Sequence, residues 1–434
     1  MHPPRPDQIH VSVIVPAFNM ELYVERCLRS LFDQDIDRLE MIVVDDGSAD
    51  RTREVVESLT LPDGKSLRAI SEPNGGLSSA RNAGMKLARR RWMGFVDADD
   101  WVASTMYSVL TAEAESAGAE LAIATGVDVD SASGVQRPSA DIELWNAFIA
   151  SHGRRVNPRD CPDLFVLDHS PCRRVYRRAF LERIGFAFVD GVIYEDAIAN
   201  YQLLFRTNSA VLIDEPMYFY RVGREGQITD RRDHTNLDIL PVMNMVVDEL
   251  WRHSASVELW ANFIHFQGWN MLWHCYRIND EHEERLASGA MRIALKFPPR
   301  GLARFRQKFG NDPRITTGVD LQLYGDADLF GILRNAGRIP TREEGGELGH
   351  SGAVLHYPGA SDQSARAHVL TTKIPPDRTR FKRLKRCRGL RDLGRAGRLR
   401  PNKSSNTLEL PGRIGRAVQG LKAEKTGSHA SASS

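Results

Sequence analysis

Short apolar runs alternate with amphipathic segments through the first half of the chain. Residues 11–15 and 41–44 are nearly continuous runs of β-branched and other apolar residues, the pattern of strands that are buried on both faces of a parallel sheet. Between these runs, Tyr23, Cys27 and Leu31 recur at every fourth position, as on the buried face of a helix. The pattern therefore predicts a β-α-β unit.

The alternation continues and predicts a mostly parallel sheet covered by helices. The sequence predicts helices at about residues 52–59, 78–90 and 104–117, and strands near residues 67–70, 92–96 and 121–125. Another apolar stretch, residues 209–221, is expected to supply the last strands. In such sheets the ligand site lies beyond the carboxyl ends of the strands. The polar clusters that follow the predicted strands are therefore the candidates for chemistry.

Beyond residue 230 the pattern is helical. Large apolar residues recur there at helical spacing, at Leu259, Phe263, Phe266, Trp273 and Tyr276. We interpret this face as packing core, because apolar helix faces usually mark burial; contact with a membrane or a cofactor is the alternative. The pattern thus predicts an α/β domain at residues 1–230, a helical region at residues 231–340 and a flexible, basic tail at residues 341–434.

The charges are distributed unevenly along the chain. The net charge of the 434 residues is +2. Residues 378–403 hold twelve Lys and Arg against one Asp, and residues 404–434 add a net +2, which leaves −11 for residues 1–377. A solvated tail and a surface that attracts anionic lipid head groups both fit such a basic segment.

Composition excludes several classes of protein. With 42% hydrophobic and 26% charged residues, the chain is not collagen-like, mucin-like or wholly disordered. Its five cysteines are scattered, which indicates neither a disulfide framework nor a zinc site. No apolar run predicts a signal peptide or a spanning helix. We expect a cytoplasmic protein, with peripheral contact at the inner membrane face as a hypothesis.

Three polar clusters follow the first three predicted strands. Residues 16–19, Pro-Ala-Phe-Asn, end the first strand and leave the Asn19 amide facing the expected cleft. Residues 45–50, Asp-Asp-Gly-Ser-Ala-Asp, form either a turn with a helix cap or a carboxylate site for a base or ribose. Residues 74–82 are a glycine-bearing loop that enters a helix, where a helix N-terminus favours anions. Arg81 is there either a solvated arginine or a contact to a phosphate or base.

A fourth cluster places three carboxylates together. Asp97, Asp99 and Asp100 follow an apolar strand in the segment Phe-Val-Asp-Ala-Asp-Asp-Trp. Like charges this close repel one another unless a cation lies among them. Hard oxygen ligands favour Mg²⁺ or Mn²⁺, which bridge site carboxylates and substrate phosphates. A helix cap would explain only one of the three acids, so the cluster predicts a divalent cation site.

The four clusters together resemble a known family. Val-Ser-Val-Ile-Val-Pro-Ala-Phe-Asn, Val-Val-Asp-Asp-Gly-Ser, Gly-Gly-Leu-Ser-Ser-Ala-Arg-Asn-Ala-Gly and Phe-Val-Asp-Ala-Asp-Asp-Trp occur in this order, and the order is similar to that of family 2 glycosyltransferases of the GT-A fold. The resemblance covers about residues 11–227. It implies a nucleotide-sugar donor, a Mg²⁺ or Mn²⁺ ion and transfer with inversion at the anomeric carbon.

The resemblance also implies roles for particular residues. In the nucleotide pocket, the lining residues would be Pro16, Ala17 and Asn19, with Asp46 at the uracil-type base and Arg81 assisting there. Asp97 and Asp99 would form the Asp-X-Asp pair at the donor, with Asp99 as the direct metal ligand and Asp100 sharing that role. These assignments follow from position in the motifs alone.

A later segment resembles the family's Glu-Asp motif. In Tyr-Glu-Asp-Ala, residues 194–197, the resemblance makes Asp196 the base that removes the acceptor proton and Glu195 a supporting contact to the acceptor. Without the upstream clusters the pair would be interpreted as exposed acids that start a helix. Arg221 or Arg224 would hold phosphate. Cys172 and Arg173 stand where relatives often carry an aromatic residue and a lysine.

These expectations describe one enzyme and two alternatives. The enzyme transfers a sugar, with UDP-sugar as the expected donor, to a saccharide, a lipid-linked saccharide or another hydroxyl acceptor in envelope or exopolysaccharide synthesis. The alternatives are a GT-A-like module without catalysis and a protein that binds anionic surfaces or nucleic acid through its basic tail. Nucleic acid is not expected as a partner, because it leaves the three aspartates and the acidic body unexplained.

Overall fold

A computed structural model describes residues 10–36 and 38–311, together with residues 316, 318, 319, 322 and 323. All of these belong to one compact unit. The predicted basic tail at residues 341–434, and with it the proposed contact to an anionic membrane, lies outside the described residues. The division of the chain into three parts remains a prediction.

The strands of the described residues join in one sheet. They are β1 (His10–Ala17), β2 (Arg38–Asp45), β3 (Ser66–Ser71), β4 (Trp92–Phe95), β5 (Trp101–Val102), β6 (Leu121–Asp130), β7 (Gln136–Pro138), β8 (Arg155–Val156), β9 (Arg174–Arg177) and β10 (Ala210–Val222). Across the sheet the order is β3-β2-β1-β4-β9-β6-β10-β5, with β7 beside β6 and β8 beside β10.

Helices occupy most of the connections and the segment after β10. They are α1 (Val24–Phe32), α2 (Thr52–Ser58), α3 (Leu77–Leu87), α4 (Met106–Ala117), α5 (Ile142–His152), α6 (Arg178–Ile184), α7 (Glu195–Arg206), α8 (Ile239–Arg252), α9 (Val257–Arg277), α10 (Glu283–Ala294) and α11 (Pro299–Phe309). Helix α3 packs on β1 and β2, and α4 packs on β6 and β10.

The predicted parallel pairing is confirmed. Strand β1 lies between β2 and β4 and runs parallel to both, β3 runs parallel to β2, and β10 runs parallel to β6. Val11, Val13 and Ile14 are completely buried, as expected for a strand covered on both faces. Strand β9 is antiparallel to both β4 and β6. The carboxyl ends of β1, β2, β3 and β4 therefore meet at one edge of the sheet.

Most predicted elements differ from the observed ones by a few residues in length, and three of them are instructive. The helix predicted at residues 78–90 ends at Leu87, because Ala88 has extended backbone angles. The strand predicted at residues 121–125 continues to Asp130 along its partner β10. The strands expected in residues 209–221 are one strand, β10, which passes through two register shifts between Ile213 and Tyr218.

The segment after β10 packs against the sheet domain. Leu259, Phe263 and Phe266 of the predicted apolar face are buried, which confirms their interpretation as core. The Phe263 ring lies 6.0 Å from that of Tyr201 in α7, and the Phe266 ring lies 4.7 Å from that of His169. In the part of the chain that the structure describes, no helix is long and apolar enough to cross a membrane.

Candidate active site

Hydrogen bonds join the loops that follow β1, β2 and β3. Asn19 has a left-handed backbone (φ 55°), its N–H donates to Oγ of Ser48 at 2.9 Å, and its Oδ1 accepts from the N–H of Ala49 at 2.9 Å. Pro16 and Ala17 are buried. The first predicted cluster is therefore fixed to the second by the Asn19 side chain.

Asp46 connects the second loop to the third. Its two carboxylate oxygens accept from the backbone N–H groups of Gly75 and Gly76 at 2.8 and 2.9 Å, and the residue is 5% exposed. Gly76 has φ 89°, a conformation that favours glycine. Asp46 thus shapes the glycine loop that precedes α3, and its contact with a nucleotide base stays a prediction.

Arg81 brings the Asp-X-Asp and Glu-Asp segments together. It lies in α3 and is 2% exposed. One guanidinium nitrogen donates to Oδ1 of Asp97 at 2.8 Å, and another donates to Oε1 of Glu195 at 2.6 Å. The two acids, nearly one hundred residues apart in sequence, are therefore joined through one buried cation. The structure thus places the Arg81 guanidinium against two carboxylates, and its predicted contact to the nucleotide stays a prediction.

Glu195 and Asp196 begin α7. Glu195 is 5% exposed, and burial raises its pKa to about 7, although Arg81 opposes the change. Asp196 is half-buried, and its pKa is raised, first by burial and then by the charge of Asp168. A carboxylate with a raised pKa is a stronger base than an ordinary aspartate. This property fits the proton acceptor that the sequence predicts at Asp196.

Asp99 and Asp100 contact three residues that lie in the last part of β10 or just after it. Arg224 forms an ion pair with Oδ2 of Asp99, and Nε of Arg221 donates to the carbonyl oxygen of Asp99 at 2.8 Å. Asp100 accepts from the Tyr218 hydroxyl at 2.5 Å and from the N–H of Arg221 at 2.7 Å. Both Asp100 oxygens are thus engaged within the protein.

Burial governs the ionisation of this acid pair. Burial raises the pKa of Asp99, and Arg224 opposes that change, while the charge of Asp97 adds to it. The pKa of Asp100 is raised well above its usual value by burial and by the charges of Asp99 and Asp97. These mutual effects show that the three carboxylates share one electrostatic environment at the end of β4, as the sequence predicts.

Aromatic side chains face the two arginines of this segment. The Arg221 guanidinium lies 4.9 Å from the Tyr23 ring and 5.1 Å from the Trp101 ring, and that of Arg224 lies 5.8 Å from the Tyr23 ring. Cation–π contacts of this kind hold a guanidinium without neutralising its charge. Aromatic contacts and Asp99 together therefore hold both arginines in place, and the contact of Arg221 or Arg224 to phosphate stays a prediction.

The chemistry of these side chains fits a divalent cation. Among the described residues, no group of three or more His, Cys, Asp or Glu side chains is arranged to hold a metal ion. Mg²⁺ usually takes one or two carboxylates and completes its coordination shell with water and substrate phosphates. Arg81 bonds one carboxylate oxygen of Asp97, whose side chain is 31% exposed, and Arg224 bonds one of Asp99, so each of these acids would offer its other oxygen to a metal ion. Both oxygens of Asp100 are bonded, to Tyr218 and Arg221.

Cys172 and Arg173 lie beside this site. The thiol of Cys172 is buried and within 3.9 Å of Arg81. Arg173 is 4% exposed and donates twice to Asp141, at 2.7 and 3.1 Å. Burial acts to raise the pKa of Asp141, but the charge and hydrogen bonds of Arg173 outweigh this effect and lower that pKa to about 2. The ion pair of Arg173 with Asp141 therefore stabilises the loop that leads into β9.

Sequence reasoning missed two tyrosines at the site. Tyr218 donates to Asp100, and Tyr194, directly before the Glu-Asp pair, has a left-handed backbone with φ 70°. The alternating pattern of β10 places Tyr218 on one face of the sheet but does not name its partner. The sequence gives no sign that Tyr194 has a left-handed backbone, because this conformation is favoured by glycine and asparagine and is uncommon for tyrosine.

Comparison with known proteins identifies the family. Residues 12–185 match the family model described as glycosyl transferase family 2. The chain is 31% identical over 248 residues to the succinoglycan biosynthesis protein ExoO of Rhizobium meliloti, and the match covers 54% of this chain and 67% of ExoO. The chain belongs to glycosyl transferase family 2.

Two further relatives are named as glycosyltransferases, and the chain covers 60% of one and 72% of the other. The uncharacterized glycosyltransferase EpsJ of Bacillus subtilis is 33% identical over 218 residues, which are 49% of this chain and 60% of EpsJ. The glycosyltransferase GlyG of Streptococcus pneumoniae is 29% identical over 223 residues, or 50% of this chain and 72% of GlyG. The resemblance inferred from the sequence motifs is thereby confirmed.

Solved structures confirm the GT-A fold of this family 2 chain. The crystal structure of S. aureus TarS 1-349 in complex with UDP superposes with a TM-score of 0.59 and 20% identity, over 76% of this chain and 92% of that one. The complex of the same protein with UDP-GlcNAc gives the same values. At this identity the likeness concerns the fold alone.

Proposed function

We propose that this protein is an inverting glycosyltransferase that transfers a sugar from a nucleotide sugar to a hydroxyl acceptor. The observation that carries the proposal is the buried Arg81, which ties Asp97 of the donor-side motif to Glu195 of the acceptor-side motif. A structural module without catalysis has no need to hold these two acidic motifs against each other at the end of the sheet. Membership of glycosyl transferase family 2 supports the same activity.

The proposed donor is a UDP-sugar. One support is that TarS, which shares this fold, binds UDP and UDP-GlcNAc. The other is the joined loops after β1, β2 and β3, which lie at the edge where ligands bind in such sheets. These loops supply Asn19, Asp46 and the buried Pro16 and Ala17. The proposed acceptor is a saccharide or a lipid-linked saccharide in polysaccharide synthesis, the process named for ExoO.

Asp97 and Asp99 would hold the Mg²⁺ or Mn²⁺ ion. When bound, the ion offsets the negative charge that develops on the departing diphosphate. Arg224, which pairs with Asp99, stands next to this position, and Arg221 lies close by against Tyr23 and Trp101. Arg221 or Arg224 would hold phosphate oxygens through charge-assisted hydrogen bonds, in addition to the contacts that both already make with Asp99.

The proposed reaction is a single displacement. The acceptor oxygen forms a bond to the anomeric carbon while the bond from that carbon to the diphosphate oxygen breaks. The hydroxyl proton passes to the carboxylate of Asp196, and the nucleoside diphosphate leaves with the electron pair of the broken bond. Glu195 is held by Arg81 and borders the acceptor side, where it would contact a sugar hydroxyl.

The test combines donor binding with turnover. A panel of nucleotide sugars is screened with Mg²⁺ or Mn²⁺ for thermal protection, since a ligand at about 100 times its Kd stabilises a protein by about 2.7 kcal/mol. Release of nucleoside diphosphate is then measured for the wild type, Asp99→Asn and Asp196→Asn. Asp248→Asn in α8, with a side chain 50% exposed, is the matched control.

Each variant has a distinct expected result. Asp99→Asn should weaken metal-dependent donor protection and turnover together. Asp196→Asn should keep donor protection and lose turnover by about 10²-fold or more, the usual contribution of a general base. Asp248→Asn should behave as the wild type. Turnover that persists unchanged in both site variants would refute the proposed function and favour a non-catalytic module.

A further inference from the structure

The segment after β10 contacts the turn that precedes the Glu-Asp pair. This turn ends at Tyr194, a residue with φ 70° and ψ 22°, and α7 begins at the next residue. A left-handed backbone costs a residue other than glycine about 1–2 kcal/mol, so neighbouring contacts must hold it in place. The contacts recorded for Tyr194 come largely from residues beyond 230.

A hydrogen bond to Asn236 fixes the Tyr194 side chain. The Tyr194 hydroxyl donates to Oδ1 of Asn236 at 2.8 Å. Asn236 is completely buried, and its amide nitrogen donates to the carbonyl oxygens of Arg231 and Asp233 at 3.0 and 3.3 Å. Because these two bonds set the orientation of the amide, its oxygen points at Tyr194 and can act only as an acceptor there.

Helix α9 holds the aromatic ring of the same residue. The Tyr194 ring meets the His274 ring edge-on at 5.0 Å and the Trp273 ring edge-on at 6.1 Å. His274 is 1% exposed, and burial lowers its pKa to about 3, so its ring is neutral at physiological pH. The contacts are therefore those of packed aromatic rings, which have a defined geometry.

The neighbouring backbone is held from the same side. The N–H of Ile193 donates to Oδ2 of Asp238 at 3.2 Å, and the carbonyl oxygen of Tyr194 accepts from the N–H of Ala197 at 3.2 Å. The first turn of α7 thus starts from a backbone that Asp238, Asn236 and α9 fix together. Any rotation of Tyr194 would be transmitted to Glu195 and Asp196, which follow it directly in the chain.

We infer that Tyr194 and Asn236 are positioning residues, through which the helical segment after β10 sets the orientation of the Glu-Asp pair for catalysis. This inference rests on the proposed function, because it assigns Asp196 the role of base. Catalysis is sensitive to such orientation, since a misplacement of about 1 Å can cost about 10²-fold in rate. Neither residue needs to touch the donor or the acceptor.

The test is a double-mutant cycle on the full-length protein. Tyr194→Phe removes the hydroxyl and keeps the ring, Asn236→Ala removes the acceptor, and the double variant removes both. We expect each single variant to lower kcat about 10-fold or more, with the KM for the donor changed less than twofold. The double variant should be no slower than Asn236→Ala, because that change already breaks the bond that Tyr194→Phe removes.

Two controls separate positioning from general stability. Asn244→Ala in α8 removes an amide that bonds to Asp248 and Lys296, away from Tyr194, and should leave kcat and KM at wild-type values. Amide hydrogen exchange of residues 195–198 should be faster in Tyr194→Phe than in the wild type and unchanged in Asn244→Ala. This second measurement does not depend on turnover.

The outcomes distinguish the two proposals. If the wild type turns over and Asp196→Asn does not, but Tyr194→Phe retains wild-type kcat and exchange at residues 195–198, the inference is overturned while the proposed function stands. Independent, additive effects of the two single changes on kcat would also overturn it. If Asp99→Asn and Asp196→Asn both turn over normally, the proposed function fails, and the positioning role fails with it.

Discussion

Replacement of Arg81 by methionine should destabilise the protein strongly and in a pH-dependent way. Arg81 is 2% exposed and donates to Glu195, which is 5% exposed, and to Asp97, whose side chain is 31% exposed. Loss of one partner from a buried ion pair typically costs about 3–5 kcal/mol, because the other charge is left buried. The bond to the more exposed Asp97 adds little to this cost.

The sign of the pH dependence follows from Glu195. Its pKa is already about 7 with Arg81 present, and Arg81 acts to lower it. Without Arg81 the pKa rises further, so at about pH 6 the carboxyl group binds a proton and no longer stands as a buried, unpaired charge. The loss of stability in Arg81→Met should therefore be larger at about pH 8 than at about pH 6.

Urea unfolding at the two pH values measures this difference. The matched control is Arg173→Met, which removes an equally buried arginine, 4% exposed, from Asp141. The Ser139 hydroxyl and the N–H of Asp168 also donate to Asp141, so its carboxylate keeps partners and the control should change less between pH 6 and pH 8. A cost below about 1 kcal/mol for Arg81→Met, or one that grows as the pH falls, contradicts the reasoning.

Three further outcomes are expected. In Gly94→Ala, the new Cβ would lie 2.6 Å from the ring of buried Tyr107, and this overpacking should lower the free energy of unfolding by about 1–3 kcal/mol, visible as a lower urea midpoint. Tyr218→Phe leaves a buried oxygen of Asp100 without its donor and should cost about 1–3 kcal/mol in the same assay. The kcat/KM of the wild type should fall with decreasing pH, with an apparent pKa above the usual aspartate value of about 3.9. The reason is that a base acts only when deprotonated, and burial raises the pKa of Asp196. A profile that stays flat down to about pH 4 would count against Asp196 as the base.

The parallel half of the sheet was predictable from the sequence because its strands are covered on both faces. A strand such as residues 11–15 is then mostly apolar, and Val11, Val13, Ile14 and Val15 are apolar and buried. The fifth residue, Ser12, is also buried, with its hydroxyl bonded to Glu40. Strand β9 gave no such signal, since two of its four residues are arginines. Arg174 is nevertheless 2% exposed, because its guanidinium donates to the carbonyl oxygen of Asp168 at 2.6 Å.

The motifs located the site, but the sequence could not supply the partners of its acids. The position of Asp97 at the end of a buried strand follows from local pattern alone. Its bond to Arg81, and that of Arg81 to Glu195, depend on how distant parts of the chain are brought together. Arg81 is one of 58 Lys and Arg residues, and nothing in the sequence indicates that it makes this contact.

The register shifts in β10 limit which changes in chain length this protein can accept. Ile213 lies opposite Ala124 and Tyr218 lies opposite Gly126, so five steps along β10 accompany two along β6. Side chains alternate between the faces of a strand, and removal of one residue within that stretch would turn Tyr218 to the opposite face. A single-residue deletion there should separate the phenol from Asp100 and leave the start of the strand, residues 210–213, in place.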